Sequence, residues 1–196
     1  KVKIQSGDKV YGTGIIHEFN EREYTVFELL VIMLIQSDNT AANKIIDIVG
    51  MEQINEDIIA MGLKNTRLNR KTNDERTAIT DVENITTAYD LSRIWKHLAN
   101  GTFLSKDNGQ MLIDILRRQQ IKNKLALYIP DDLKIEISSK TGDKKGVEND
   151  TAYLELPKGK FTFTVLSQDI PNSVYGTVSL AKCGKMMWDE VMNNWN

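Results

Sequence analysis

The chain has 196 residues, 41% of them hydrophobic and 27% charged, a balance that excludes a disordered or collagenous polypeptide. That length fits one domain, or a domain with a small lobe, and lets roughly 70% of the unfolded surface be buried. Lys+Arg 25 against Asp+Glu 27 leaves a formal charge of −2, which removes the electrostatic argument for binding nucleic acid or an anionic membrane.

Residues 1–23 carry Gly12 and Gly14 among mixed polar residues and read as irregular or partly extended. Thr25-x-x-Glu28 has the pattern of a capping box, and the segment behind it, Val26 to Ile35, is apolar except at Glu28. A helix apolar all round belongs inside a domain, so a central buried helix ending near Gln36 is expected. Ser37-Asp38-Asn39-Thr40 is rich in capping residues and precedes a helix from about Thr40 to Val49, stopped by Gly50. A short helix, about Glu52 to Ala60, stops at Gly62. Residues 63–85 lack periodicity and read as a long loop, a feature that is usually functional in a compact domain. Helices are predicted over about Thr87–Ala99 and Lys106–Arg118.

The pattern then changes. Lys134–Lys140, Ala152–Leu156 and Lys160–Ser167 alternate or are β-branched, with Gly142, Gly146 and Gly159 between them, and predict a three-stranded antiparallel meander. A last helix from about Val174 to Trp195 has Val178, Ala181, Met186, Trp188 and Val191 for an inner face. The fold class is α+β, or mixed α/β: a helical lobe over about 24–118, then a sheet and terminal helix over about 134–196, together one domain.

One cysteine, Cys183, excludes an intramolecular disulfide and reads as a buried thiol. Two histidines, His17 and His97, cannot build a His-rich metal site and read as ordinary surface or boundary residues. The longest apolar run, Leu29 to Ile35, is too short to span a bilayer. Lys1-Val-Lys-Ile-Gln5 shows no signal-peptide pattern and reads as mid-chain sequence, so a preceding segment is expected.

Two short motifs carry the chemistry. Ser37-Asp38-Asn39 lies at the exit of the apolar helix, and Lys140-Thr141-Gly142 at the end of the first strand. Acyl transfer from an amide needs a base for the nucleophile's proton and a donor for the leaving nitrogen. Ser37 can relay that proton, Asn39 can hydrogen-bond a substrate amide, and Asp38 is better placed to fix the turn than to react. Lys140 supplies a positive charge that acidifies Ser37 and attracts a substrate carboxylate, which Thr141 can also bond. Gly142 admits the substrate to the strand edge, and the backbone N–H of Asp143 can form half of an oxyanion hole. Each tripeptide alone is most often a cap or a turn; the two together, in this order, are specific.

The pair resembles that of class A β-lactamases and penicillin-binding proteins. Leu34 to Asn43 is similar to the family segment around Ser-Asp-Asn, with its following Thr-Ala-x-Asn. Gly12-Thr-Gly-Ile15 resembles the approach to that helix. Gly62-Leu-x-x-Thr66-x-Leu68-x-Arg70 resembles the start of the family's Ω-shaped loop, Thr86-Thr87 its end, and Asn149-Asp150-x-Ala152 the strand beside Lys-Thr-Gly. The resemblance runs from about Gly12 to the terminal helix. It implies a β-lactamase/transpeptidase-like fold, an acyl-serine intermediate, and a β-lactam or D-Ala-D-Ala-type substrate. It also implies an exported protein, and no metal or organic cofactor.

Two departures stand against it. The family's Ser-x-x-Lys nucleophile should begin a buried helix well before Ser37. The 36 preceding residues offer only Ser6-Gly-Asp-Lys9, which reads as a turn, so the nucleophile is expected upstream of Lys1. Class A β-lactamases also place a Glu two positions after the loop arginine to activate the deacylating water. Here Arg70 is followed by Lys71 and Thr72, the partner Asn is replaced by Arg76, and Asp74 and Glu75 are out of register. The expected activity is a serine β-lactamase-like hydrolase. The alternatives are a D-alanyl-D-alanine carboxypeptidase or penicillin-binding enzyme with slow deacylation, and a non-catalytic domain of the same fold.

Overall fold

The capping box forms as the sequence predicts. In helix α1 (Val26–Gln36) the Glu28 amide donates to the Thr25 hydroxyl at 3.1 Å, and the Thr25 amide donates to Glu28 Oε2 at 2.6 Å. The computed structural model describes residues 1–72, 82–130 and 135–195. These fall into two units, Lys1–Asp90 and Leu91–Asn196.

In the first unit, strands β1 (Val2–Ile4) and β2 (Arg22–Tyr24) pair antiparallel, Val2 opposite Tyr24 and Ile4 opposite Arg22. This pair is the extended part of a segment that is otherwise irregular, apart from the short turns at Ser6–Asp8 and Ile16–Glu18. Three-residue strands whose partners lie about twenty positions apart leave no local alternation to read. Helices α2 (Asn39–Val49) and α3 (Met51–Ala60) follow, with Gly50 between them at φ 88°. Ile4, Ile16, Tyr24, Leu29 and Ala41 form the core, with Ile32, Met33 and Ile45 against it. The expectation of a fully buried α1 is corrected here: Leu29 is its one buried residue, and Val26 and Phe27 are exposed. The packing of this unit covers one face of α1, although its composition is apolar on all sides.

Helix α4 (Ala88–Asn100) leads into the second unit, followed by α5 (Lys106–Arg117). Strands β3 (Ile137–Lys144), β4 (Val147–Leu156) and β5 (Gly159–Val165) form the predicted antiparallel meander in the order β3-β4-β5. The predicted start of its first strand, Lys134, lies outside the described residues. Helix α6 (Ser173–Asn194) closes the chain. Side chains alternate across the sheet. Ala152, Leu154 and Phe163 point to one face, where Leu125, Ile129, Trp188 and Val191 complete a core with α6. On the other face Trp95 Nε1 donates to Thr151 at 2.8 Å and its ring stacks on Tyr153.

Of the inner face predicted for α6, Ala181, Trp188 and Val191 are buried, whereas Val178 and Met186 are exposed. Gly176, Leu180 and Gly184 take their place. A Cβ on Gly184 would lie 2.1 Å from the Leu125 carbonyl oxygen, so the helix meets that loop backbone to backbone. Cys183, read from sequence as buried, is half-buried, one position off this contact line.

Candidate active site

Ser37 ends α1 in the left-handed region, φ 56° and ψ 36°. Such backbone costs a residue with a Cβ on the order of 1–2 kcal/mol, and it persists where the surroundings over-determine it. Asp38 supplies that constraint. It is wholly buried; its Oδ1 accepts the Ala41 amide at 2.8 Å, capping α2, and its Oδ2 accepts the amides of Ile15 and Ile16 at 2.7 and 2.8 Å. A carboxylate with three N–H donors fixes the turn, the role read for it from sequence. Gly14, at φ 110°, packs so tightly that a Cβ there would lie 2.3 Å from Asp38 Oδ2.

Asn39 continues the grip: its amide donates to the Thr13 carbonyl at 3.1 Å and its side chain to the Tyr11 carbonyl at 3.2 Å. Thr40 accepts the Val10 amide at 2.9 Å. The glycine-containing segment singled out in the sequence is thus the wall that holds Ser37-Asp38-Asn39. Ser6 and Lys9 diverge: the Ser6 hydroxyl donates to Glu21 at 2.7 Å and Lys9 Nζ to the Phe19 carbonyl at 2.6 Å. They form the turn expected of them.

The long loop has a closed neck. Arg67 and Ile85 exchange backbone hydrogen bonds at 2.9 and 3.1 Å, and Arg70 pairs with Glu83 at 2.8 Å. Asn84 Oδ1 accepts the amides of Asn69 and Arg70. Thr72 is bound to Asn43 of α2 three times: its amide and hydroxyl donate to Asn43 Oδ1 at 2.9 and 3.0 Å, and Asn43 Nδ2 donates to its carbonyl at 3.0 Å. Sequence reasoning gave Asn43 no role. Its place in Thr-Ala-x-Asn was the available signal. Asp74, Glu75 and Arg76 lie outside the described residues.

In the second unit Lys140 lies on β3, opposite Thr151, and its Nζ donates to the Thr141 carbonyl at 2.6 Å. Burial pushes its ammonium down to about 8, against the pull of Asp143 and Asp150 and with a further push from Lys124. The Thr141 hydroxyl is buried and has no hydrogen-bond partner among the described residues, an orphan of the kind a ligand oxygen satisfies. Among the described residues β3 has a strand on one side only, so the backbone of Gly142 and Asp143 runs along a sheet edge. At Gly142 a Cβ would touch only the Asn149 side chain, at 3.9 Å.

Asp150, opposite Thr141, was quoted in the sequence only as part of a motif. It is buried, one oxygen accepting the Leu125 amide at 3.1 Å and the other without a partner among the described residues. Burial raises its carboxyl to about 6, against the Leu125 amide and the nearby lysines.

Each unit therefore holds its own half of the expected residue set: Ser37, Asp38, Asn39 and Arg70 in the first, Lys140, Thr141, Gly142 and Asp143 in the second. A helix-terminal Ser-Asp-Asn turn and a sheet-edge Lys-Thr-Gly on this mixed architecture define the class of penicillin-recognising serine hydrolases. A profile of the beta-lactamase enzyme family matches residues 1–191, and the chain belongs to that family. It is similar to a β-lactamase from Sphaerobacter thermophilus, at 27% identity and a TM-score of 0.90, over 96% of this chain and 72% of that one. A class A β-lactamase from Bacteroides cellulosilyticus matches at 19% identity and a TM-score of 0.81, over 97% and 73%. The protein PBP-A matches at 23% identity and a TM-score of 0.81, over 97% and 71%; a variant of it is known as an acyl-enzyme complex with penicillin G. The fold and the serine β-lactamase-like activity expected from the sequence thus stand.

Proposed function

We propose that the protein opens β-lactam amides through an acyl-serine intermediate, with Ser37 as proton relay and Asn39 positioning the substrate amide. Lys140 and Thr141 anchor the substrate carboxylate, and the Asp143 N–H takes up the developing oxyanion. The nucleophile is a serine other than Ser37. Its hydroxyl gives up its proton as it adds to the lactam carbonyl, and as the C–N bond breaks that proton is relayed through the Ser37 hydroxyl to the departing nitrogen. The observation that carries this reading is the half-buried Lys140 ammonium next to a buried Thr141 hydroxyl that has no partner among the described residues, a pair of groups suited to a carboxylate. The protein acts in the cell envelope or outside the cell, where it meets such substrates.

Lys140 serves in its charged form, so acylation falls as pH rises through about 8. Lys140→Ala in the full-length protein should slow acylation by roughly 10²–10³, by analogy with loss of one preorganised charge-stabilising group. An unchanged rate of penicillin acylation removes Lys140 from the anchor.

A second reading is favoured by one observation. Thr72, bound to Asn43, stands where class A enzymes carry their deacylating Glu, and a hydroxyl is a poor base for water. Slow deacylation fits a D-alanyl-D-alanine carboxypeptidase or penicillin-binding enzyme, with a cell-wall peptide as substrate. Sustained hydrolysis of a chromogenic cephalosporin supports the lactamase; a single stoichiometric burst supports the second reading. Thr72→Glu should shorten the lifetime of the adduct by about tenfold or more if the missing base limits turnover.

A further inference from the structure

One lysine that the sequence left unmarked lies behind the Lys140-Thr141-Gly142 strand. Lys124, in the segment between α5 and β3, has a side chain only 1% exposed. Its ammonium contacts the Asp143 carboxylate, sits 2.6 Å from Glu148 Oε2, and donates to the Asn149 carbonyl at 3.3 Å. Asp143 and Glu148 are direct partners across β3 and β4, one rung beyond Gly142↔Asn149 and two beyond Thr141↔Asp150. Like charges facing each other on one rung repel and drive strand ends apart. A buried cation between them turns that repulsion into a clamp.

The surroundings fix the clamp from every side. The next amide, that of Leu125, donates to Asp150. Gly184 of α6 meets the Leu125 backbone, and a Cβ on Gly176 of α6 would lie 2.6 Å from Glu148 Cγ. The charged and titratable groups acting here are Asp143, Glu148, Asp150 and Lys140, and α6 contributes the Ser173 hydroxyl, which bonds Glu148. Burial raises the Asp143 carboxyl; at Glu148 burial is outweighed by the bonds from Lys124 and Ser173, which lower it.

We propose that Lys124 is a positioning residue: by clamping Asp143 and Glu148 across one rung, it holds the Gly142–Asp143 backbone in the geometry that receives the substrate. The catalytic consequence rests on the acyl-transfer reading above; the clamp itself does not.

The test uses the full-length protein and penicillin G, with Lys124→Met, Lys124→Arg, and a triple variant Lys124→Met, Asp143→Asn, Glu148→Gln in which no buried charge is left unpaired. Lys124→Met should form the penicilloyl adduct roughly tenfold or more slowly at pH 7, and regain part of that rate at pH 5, where protonation relieves the carboxylate pair left without its cation. Lys124→Arg should restore most of the rate. The triple variant should regain thermal stability, as neutralised clusters do, without regaining the acylation rate. A triple variant that acylates at the parent rate reduces Lys124 to a structural residue and overturns the proposal.

Amide hydrogen exchange at the Gly142↔Asn149 rung reads the clamp without chemistry and should quicken by about tenfold in Lys124→Met. If the parent protein forms no adduct, the acyl-transfer reading fails and exchange alone decides the clamp; unchanged exchange overturns it. Should Lys124→Met not fold, Asp143→Asn, at a half-exposed position, must show the same faster exchange for the proposal to stand.

Discussion

The two halves of the residue set are held in different ways. Around Ser37 the constraint is geometric: a left-handed residue, a wholly buried carboxylate taking three amides, and a glycine without room for a Cβ. Around Lys140 it is electrostatic: two lysines and three acidic side chains share one end of a small sheet, and burial displaces both Lys140 and Asp150 from their ordinary ranges. The relay proposed for Ser37 needs a hydroxyl at a fixed point, which strain and hydrogen bonds supply at any pH near neutrality. The carboxylate anchor proposed for Lys140 needs a charge partly withdrawn from water, which makes its half of the set sensitive to pH and to every neighbouring charge.

Removing the central group of the geometric half should have the largest effect. Asp38→Ala strands three amides, those of Ile16 and Ala41 buried and that of Ile15 partly so, each buried one costing about 1–3 kcal/mol, so denaturant unfolding should show a loss of several kcal/mol, if the variant folds at all. A loss below about 1 kcal/mol would mean that the turn holds itself.

The electrostatic half predicts a smaller effect with the opposite sign. The folded-state value of Asp150, about 6, lies above the ordinary 3.8, so the folded protein holds a proton there that the unfolded chain has released. The stability tied to that proton is present below about pH 4 and lost as pH rises through 6. Asp150→Asn should therefore raise stability by on the order of 1–3 kcal/mol at pH 8 and leave it unchanged at pH 4. A gain of the same size at both pH values would assign the effect to packing instead.

The smallest effect separates strain from function. Ser37→Gly relieves about 1–2 kcal/mol of left-handed strain and loses roughly 0.5–1 kcal/mol to added chain entropy. Melting temperature should stay level or rise slightly while acylation drops. A clear fall in melting temperature would show that the Ser37 side chain supports the fold.

Much of this was legible in the sequence because its signals are local. Thr25-x-x-Glu28, the Asp38 cap and Gly50 mark helix ends within a few residues, and the β-branched runs after residue 136 mark the meander. The Ser-Asp-Asn and Lys-Thr-Gly motifs named the candidate residues directly. What was not legible depends on partners far apart in the chain. β1 and β2 find each other across a span without periodicity, and the apolar composition of α1 did not reveal that this chain buries only Leu29. Lys124 looked like any polar loop residue, since nothing near it in sequence announces two carboxylates on a later hairpin. Gly176 and Gly184 hid the inner face of α6, because a contact made by the lack of a side chain leaves no hydrophobic mark.

The central claim, an acyl-serine intermediate on this scaffold, is tested most directly by the intact mass of the purified full-length protein before and after incubation with penicillin G. The account predicts a gain of one penicillin unit on a serine other than Ser37, abolished by mutation of that serine and strongly slowed in Lys140→Ala. A full-length protein whose mass does not change, with no turnover of the penicillin, would contradict it and leave a domain that keeps the fold without the chemistry.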